Sequence, residues 1–68
     1  VVPDEAEVWT MKKGERVARC VVVRHPLGLE LRCLVDGELV RSNVHRDPEE
    51  LKIMAFSWQE AFTAGGWR

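Results

Sequence analysis

No stretch of this 68-residue sequence approaches the roughly 18 consecutive apolar residues that a membrane-spanning helix needs, which excludes such a helix. Cysteine occurs only twice, as Cys20 and Cys33, so the chain is not a disulfide-dense scaffold. The opening, Val1-Val2-Pro3-Asp4-Glu5, has neither a basic n-region nor an apolar h-region, and it lacks an initiating Met. The expectation is therefore a trimmed chain with no signal peptide, cytoplasmic, with both thiols reduced. Zinc spacing is missing as well. There is no Cys-x2-Cys pair, and His25 and His45 stand too far apart for a finger. Glycine occurs five times, but never as a phosphate-cradling loop. There is no internal repeat, low-complexity tract or linker.

What remains is ordinary for one small globular domain: 46% hydrophobic, 31% charged, net charge −1. A chain this short buries only about 60% of its unfolded surface, so one core is all it can build. The charge is unevenly placed. Asp4, Glu5 and Glu7 make the first ten residues acidic. The middle carries Lys12, Lys13, Arg16, Arg19, Arg24, Arg32, Arg41 and Arg46 against Glu15, Glu30, Asp36 and Glu38. The last third returns to acidic with Asp47, Glu49, Glu50 and Glu60 against Lys52 and Arg68. The basic middle is arginine-rich, and a guanidinium forks onto carboxylates and phosphates better than an ammonium.

Asp36-Gly37 between two alternating runs predicts a two-residue hairpin turn, because a type I′ turn needs positive φ at both central residues. That turn sets Val35 against Glu38, Cys33 against Val40, Leu31 against Ser42 and Leu29 against Val44 on one face. Residues 16–24 are valine-rich and read as a strand. With His25-Pro26-Leu27-Gly28 as the turn, the favoured register pairs Arg24 with Leu29, Val22 with Leu31, Cys20 with Cys33 and Ala18 with Val35. A register one residue shorter would turn Val21 and Val23 inward, and Arg19 with them. Residues 8–11 are either a short edge strand or an irregular arm tucking Trp9 against the core. In the last third, Asp47 caps a helix with Pro48 at its first position. Leu51, Met54, Ala55, Trp58, Ala61 and Phe62 form its apolar stripe, broadened by Ile53 and Phe56. Gly65-Gly66 ends it, and Trp67 folds back over the open end of the core.

The expected fold is α+β: an antiparallel three-stranded meander, four-stranded if 8–11 pairs, packed on one C-terminal helix. It is a single domain over 1–68, with an acidic arm at 1–7, the meander at 8–46, the helix at 47–65 and a tail at 66–68. The sheet face away from the helix is the candidate binding surface. It gathers Arg19, Arg32 and Arg41 with Val21, Val23, Leu34 and Leu39, a mixture that resembles interface composition. No aromatic stands on this face, whereas single-strand nucleic-acid binders stack bases on aromatics. No catalytic residue, cofactor or metal is expected: both cysteines face the core, both histidines stand at strand ends, and Glu49-Glu50 belongs to the helix start. The leading expectation is a non-enzymatic interaction module, a homodimer or a binder of a protein partner, working through that face. The alternative is a nucleic-acid-binding accessory protein that contacts phosphates through the sheet arginines.

The order Trp9, Gly28-x-Glu30-Leu31-Arg32, Asp36-Gly37-x-Leu39, Ser42, Glu50-Leu51, Trp58 and Gly66-Trp67 resembles short uncharacterised bacterial proteins. The resemblance covers nearly the whole chain. It implies a bacterial, cytoplasmic origin and carries no activity, cofactor or site residue.

Overall fold

In the computed structural model, which describes residues 5–68, four strands are followed by one helix. They are β1 (Glu5–Lys13), β2 (Arg16–His25), β3 (Gly28–Val35), β4 (Glu38–His45) and α1 (Pro48–Ala64). The sheet is antiparallel in the order β1-β2-β3-β4, a meander of nearest neighbours. The α+β expectation holds, with the fourth strand present. Residues 8–11 belong to an edge strand and not to an irregular arm, and Trp9 is buried in the core from that strand. Since β1 begins at Glu5, Glu5 and Glu7 belong to the sheet and not to a separate arm, while Asp4 falls outside the described residues.

The turns set most of the register. Asp36 and Gly37 both have positive φ, at 52° and 83°, as a type I′ turn demands. Asp36 also ties the turn to β2. Its carboxylate accepts from the Val17 N–H at 3.0 Å and from Arg16 Nε at 3.0 Å. These two bonds, the backbone one foremost, hold its pKa below the ordinary aspartate value. The β2–β3 register is the favoured one, residue for residue: Ala18 with Val35, Cys20 with Cys33, Val22 with Leu31, Arg24 with Leu29. Gly28 sits at φ 144°, and a Cβ there would collide with the carbonyl oxygen of His45. No other residue meets both demands without moving β4.

The β3–β4 register corrects the expectation. Val35 faces Glu38 and Leu34 faces Leu39, but then a bulge inserts Val40 as an extra residue in β4. Cys33 therefore faces Arg41 rather than Val40, Leu31 faces Asn43 rather than Ser42, and Leu29 faces His45 rather than Val44. Side chains alternate with period two, so one inserted residue turns all of 41–45 to the other face. A second irregularity lies between Glu7 and Trp9 in β1.

The helix begins where the sequence predicts. Asp47 is its N-cap, accepting from the Glu49 N–H at 3.0 Å, with Pro48 in the first turn. Leu51, Ala55 and Trp58 point into the core. Beneath them the sheet is floored by small or slender groups: Ala18, Cys20, Leu31 and Cys33. Trp9 donates from Nε1 to the Ala55 carbonyl at 3.0 Å, which fastens β1 to the middle of the helix. The chain then doubles back after Gly65. The Trp67 N–H bonds to the Phe62 carbonyl at 3.0 Å, and the indole is buried. Phe62 stands edge-on between Trp9 and Trp67, with centroid distances of 5.5 and 5.3 Å. Finally, Arg68 and Lys12 exchange two backbone hydrogen bonds, at 2.8 and 2.9 Å, so the tail lies along the outer edge of β1.

Two outcomes follow from this packing. Gly28→Ala should lower stability by about 1–3 kcal/mol in chemical denaturation, the range expected for a side chain forced into a strained backbone region. A loss no larger than that of an exposed loop substitution would contradict the close approach to His45. Cys20 and Cys33 are both free, buried and directly paired across β2 and β3. Burial pushes the Cys20 thiol up to about 12 and raises Cys33 as well. Both should react with a thiol reagent at neutral pH only as the protein opens, and rapidly in denaturant. Fast labelling of the native protein would place them elsewhere.

Candidate functional site

The face of the sheet turned away from the helix is built from alternate residues of all four strands. β1 contributes Glu5, Glu7, Thr10 and Lys12, and β2 contributes Val17, Arg19, Val21 and Val23. β3 adds Glu30, Arg32 and Leu34, paired with Val44, Ser42 and Leu39 of β4. Of the seven residues expected there, Arg19, Val21, Val23, Arg32, Leu34 and Leu39 lie on this face. Arg41 does not. The bulge at Val40 moves it to the helix side, where its guanidinium lies 5.4 Å from the centre of the Trp58 ring. Val21 is on the expected face but only 1% exposed. Its cross-strand neighbours on this face are Glu7 and Arg32. It is therefore a packing residue and not a contact.

The arginines of this face are paired with carboxylates of the same face. Arg19 reaches Glu7 at 3.2 Å and Glu5 at 3.7 Å, and Arg32 reaches Glu30 at 3.0 Å. Thr10 donates a hydroxyl hydrogen bond to the same Glu7 carboxylate. The result is two small ion-pair groups with aliphatic groups around them. Val23 and Leu34 are half-buried, while Leu39 and Val44 are 54% and 42% exposed. The aliphatic surface is thus concentrated toward β4.

The two outer strands are finished differently. β1 has its irregularity at Val8, charged Glu5, Glu7, Lys12 and Lys13, and the Arg68 tail bonded along it. Charges and a bulge blunt a sheet edge, and β4 has both in Glu38, Arg41 and Val40; the backbone bridge to Arg68 is what sets β1 apart. β4 is exposed along nearly its whole length. Among the described residues its backbone hydrogen bonds run only to β3. On the helix side, an open cleft of about 360 Å³ runs between β4 and the C-terminal half of α1, lined by Cys33, Val40, Arg41, Trp58, Phe62 and Trp67 among others. A second cleft of about 500 Å³ lies between α1 and β1, where Phe56 is 62% exposed beside Val8.

Sequence reasoning missed Val44 and Ser42 on the outer face and Val40 at the cleft, all through the one bulge. The available signal was topological: the last strand of a meander has a neighbour on one side only. His25 and His45 do stand at the ends of their strands, and among the described residues no three metal-ligating side chains converge. Among the described residues no helix is long and apolar enough to cross a membrane. No protein-family model matches the chain, and neither the curated proteins nor the solved structures include a match to it.

The electrostatics of this face can be read by titration. The Thr10 hydrogen bond first, then the Arg19 hydrogen bond, hold the Glu7 carboxyl below its ordinary value. The folded pKa is depressed, so the stabilisation is full above the unfolded value of about 4.3 and is lost as pH falls through the folded one. Carboxyl-detected NMR should show the Glu7 midpoint rising toward that unfolded value in Thr10→Ala and also in Arg19→Ala, which removes both a hydrogen bond and a nearby positive charge. A Glu7 midpoint that neither substitution moves would remove this network from the account.

Proposed function

We propose that this chain is a small, non-enzymatic interaction module that associates with itself through the aliphatic part of its helix-free sheet face. The observation that carries the reading is the character of that face. Arg19 and Arg32 are neutralised by Glu7, Glu5 and Glu30 within the same face, leaving Val23, Leu34, Leu39 and Val44 as its unpaired apolar content. A face whose arginines are already paired loses less on desolvation than one that presents them bare. A core this small also stabilises a chain by only about 3–5 kcal/mol, and pairing is a common remedy. Two-fold homodimers are the commonest closed arrangement.

The alternative is phosphate contact through the sheet arginines. It would require Arg19 and Arg32 to give up their carboxylates, and Arg41 lies on the other side of the sheet. Self-association is therefore the better supported reading. A bacterial, cytoplasmic setting belongs to the same proposal, on the sequence resemblance and on two cysteines not joined in a disulfide.

Sedimentation equilibrium tests this directly. At high micromolar concentration the chain should show the mass of a dimer, and the affinity should change little between low and moderate salt. A monomer mass throughout would refute self-association. If instead the chain binds duplex DNA or RNA with an affinity that falls steeply with salt, counterion release identifies the phosphate-binding reading. Leu39→Glu should weaken the dimer while leaving helix content unchanged. Val21→Glu should unfold the chain rather than divide the dimer, because that side chain is buried.

A further inference from the structure

We infer that the second copy is seated on the free edge of β4, strand against strand, so that two four-stranded sheets join into one of eight. The inference rests on the self-association reading and specifies its geometry. The two faces lie side by side across the seam rather than stacked on one another.

Three observations select this edge and this occupant. The first is the contrast between the edges. β1 is closed along Lys12 by the Arg68 tail, whereas among the described residues β4 has backbone bonds only on its β3 side. Open N–H and C=O groups on a strand of this length are a template for another strand. The second is that β1 is blunted, so a head-to-tail β4-to-β1 contact is disfavoured. That leaves β4 with its own copy, which closes after two chains.

The third is self-complementarity. In an antiparallel pair centred on Ser42, Ser42 faces its own copy and Arg41 faces Asn43 of the second copy. The inserted Val40 in each chain then brings Leu39 into line with Val44 of the other on the helix-free face. These are the two most exposed aliphatics of that face, and the pairing covers both. No like charges meet. Centring on Arg41 would oppose two guanidiniums, and centring on Asn43 would set Arg41 against His45.

Asn43 makes the test selective. It lies on the helix side of the sheet and is exposed, so stacking of the two helix-free faces would leave it untouched. In the edge pair it faces Arg41 twice, once on each side of the two-fold axis. Asn43→Arg should therefore weaken dimerisation by about fivefold, and Asn43→Asp should tighten it by about as much, from two cross-strand charge pairs. Isotope-filtered NMR on a mixed labelled and unlabelled sample should give intermolecular contacts between Leu39 and Val44. A dimer indifferent to both Asn43 variants, with intermolecular contacts at Val23 and Leu34 instead, overturns the edge pairing and leaves self-association standing. A chain that is monomeric throughout overturns both.

Discussion

One helix has to cover one face of a four-stranded sheet, and it is too narrow to do so. Strands lie about 4.8 Å apart, so the outer two are separated by roughly 14 Å before their side chains are added. A helix with its side chains is about 10–12 Å across. The centre of this sheet is accordingly low, with Ala18, Cys20 and Cys33 offering small side chains beneath α1, which comes nearest to β3. The flanks need other cover. On the β1 side it comes from Trp9, held by the Ala55 carbonyl, and from Trp67 with its tail. On the β4 side, Arg41 stacks on Trp58 above an open cleft.

The two flanks therefore differ in kind. The β1 flank is closed by buried aromatics, an indole hydrogen bond and a backbone bridge between Arg68 and Lys12. The β4 flank is closed by one cation over one ring, and its strand is exposed on both faces. The self-association proposed above needs a place where polar backbone and apolar side chains remain available together. β4 offers both, and the bulge at Val40 distributes its side chains between the cleft and the helix-free face.

Much of the fold is legible in the sequence because short-range chemistry dictates it. Asp36-Gly37 can form only a narrow set of turns, Gly28 marks the end of the β2–β3 hairpin, and Asp47-Pro48 starts the helix. The β2–β3 register follows from burying no charge. The β3–β4 register does not follow from its turn alone, because a bulge is chosen by packing several residues away. Val40 carries no turn or glycine signal, yet inserting it lets Arg41 meet Trp58. That single residue explains why Arg41 left the predicted face and Val44 joined it. Val21 escaped for another reason. Face assignment can be read from alternation, but the burial of Val21, central on that face between Glu7 and Arg32, depends on how side chains of neighbouring strands settle.

The unequal closure of the two flanks is the claim on which the functional account rests, and native-state hydrogen exchange reads it residue by residue. At a dilution where the chain is monomeric, the Lys12 amide, bonded to the Arg68 carbonyl, should exchange almost as slowly as the amides of β2 and β3. The β4 amides that point away from β3 should exchange orders of magnitude faster. If those outward β4 amides prove as slow as Lys12 in the monomer, the edge is already covered, and no partner strand is needed to complete it.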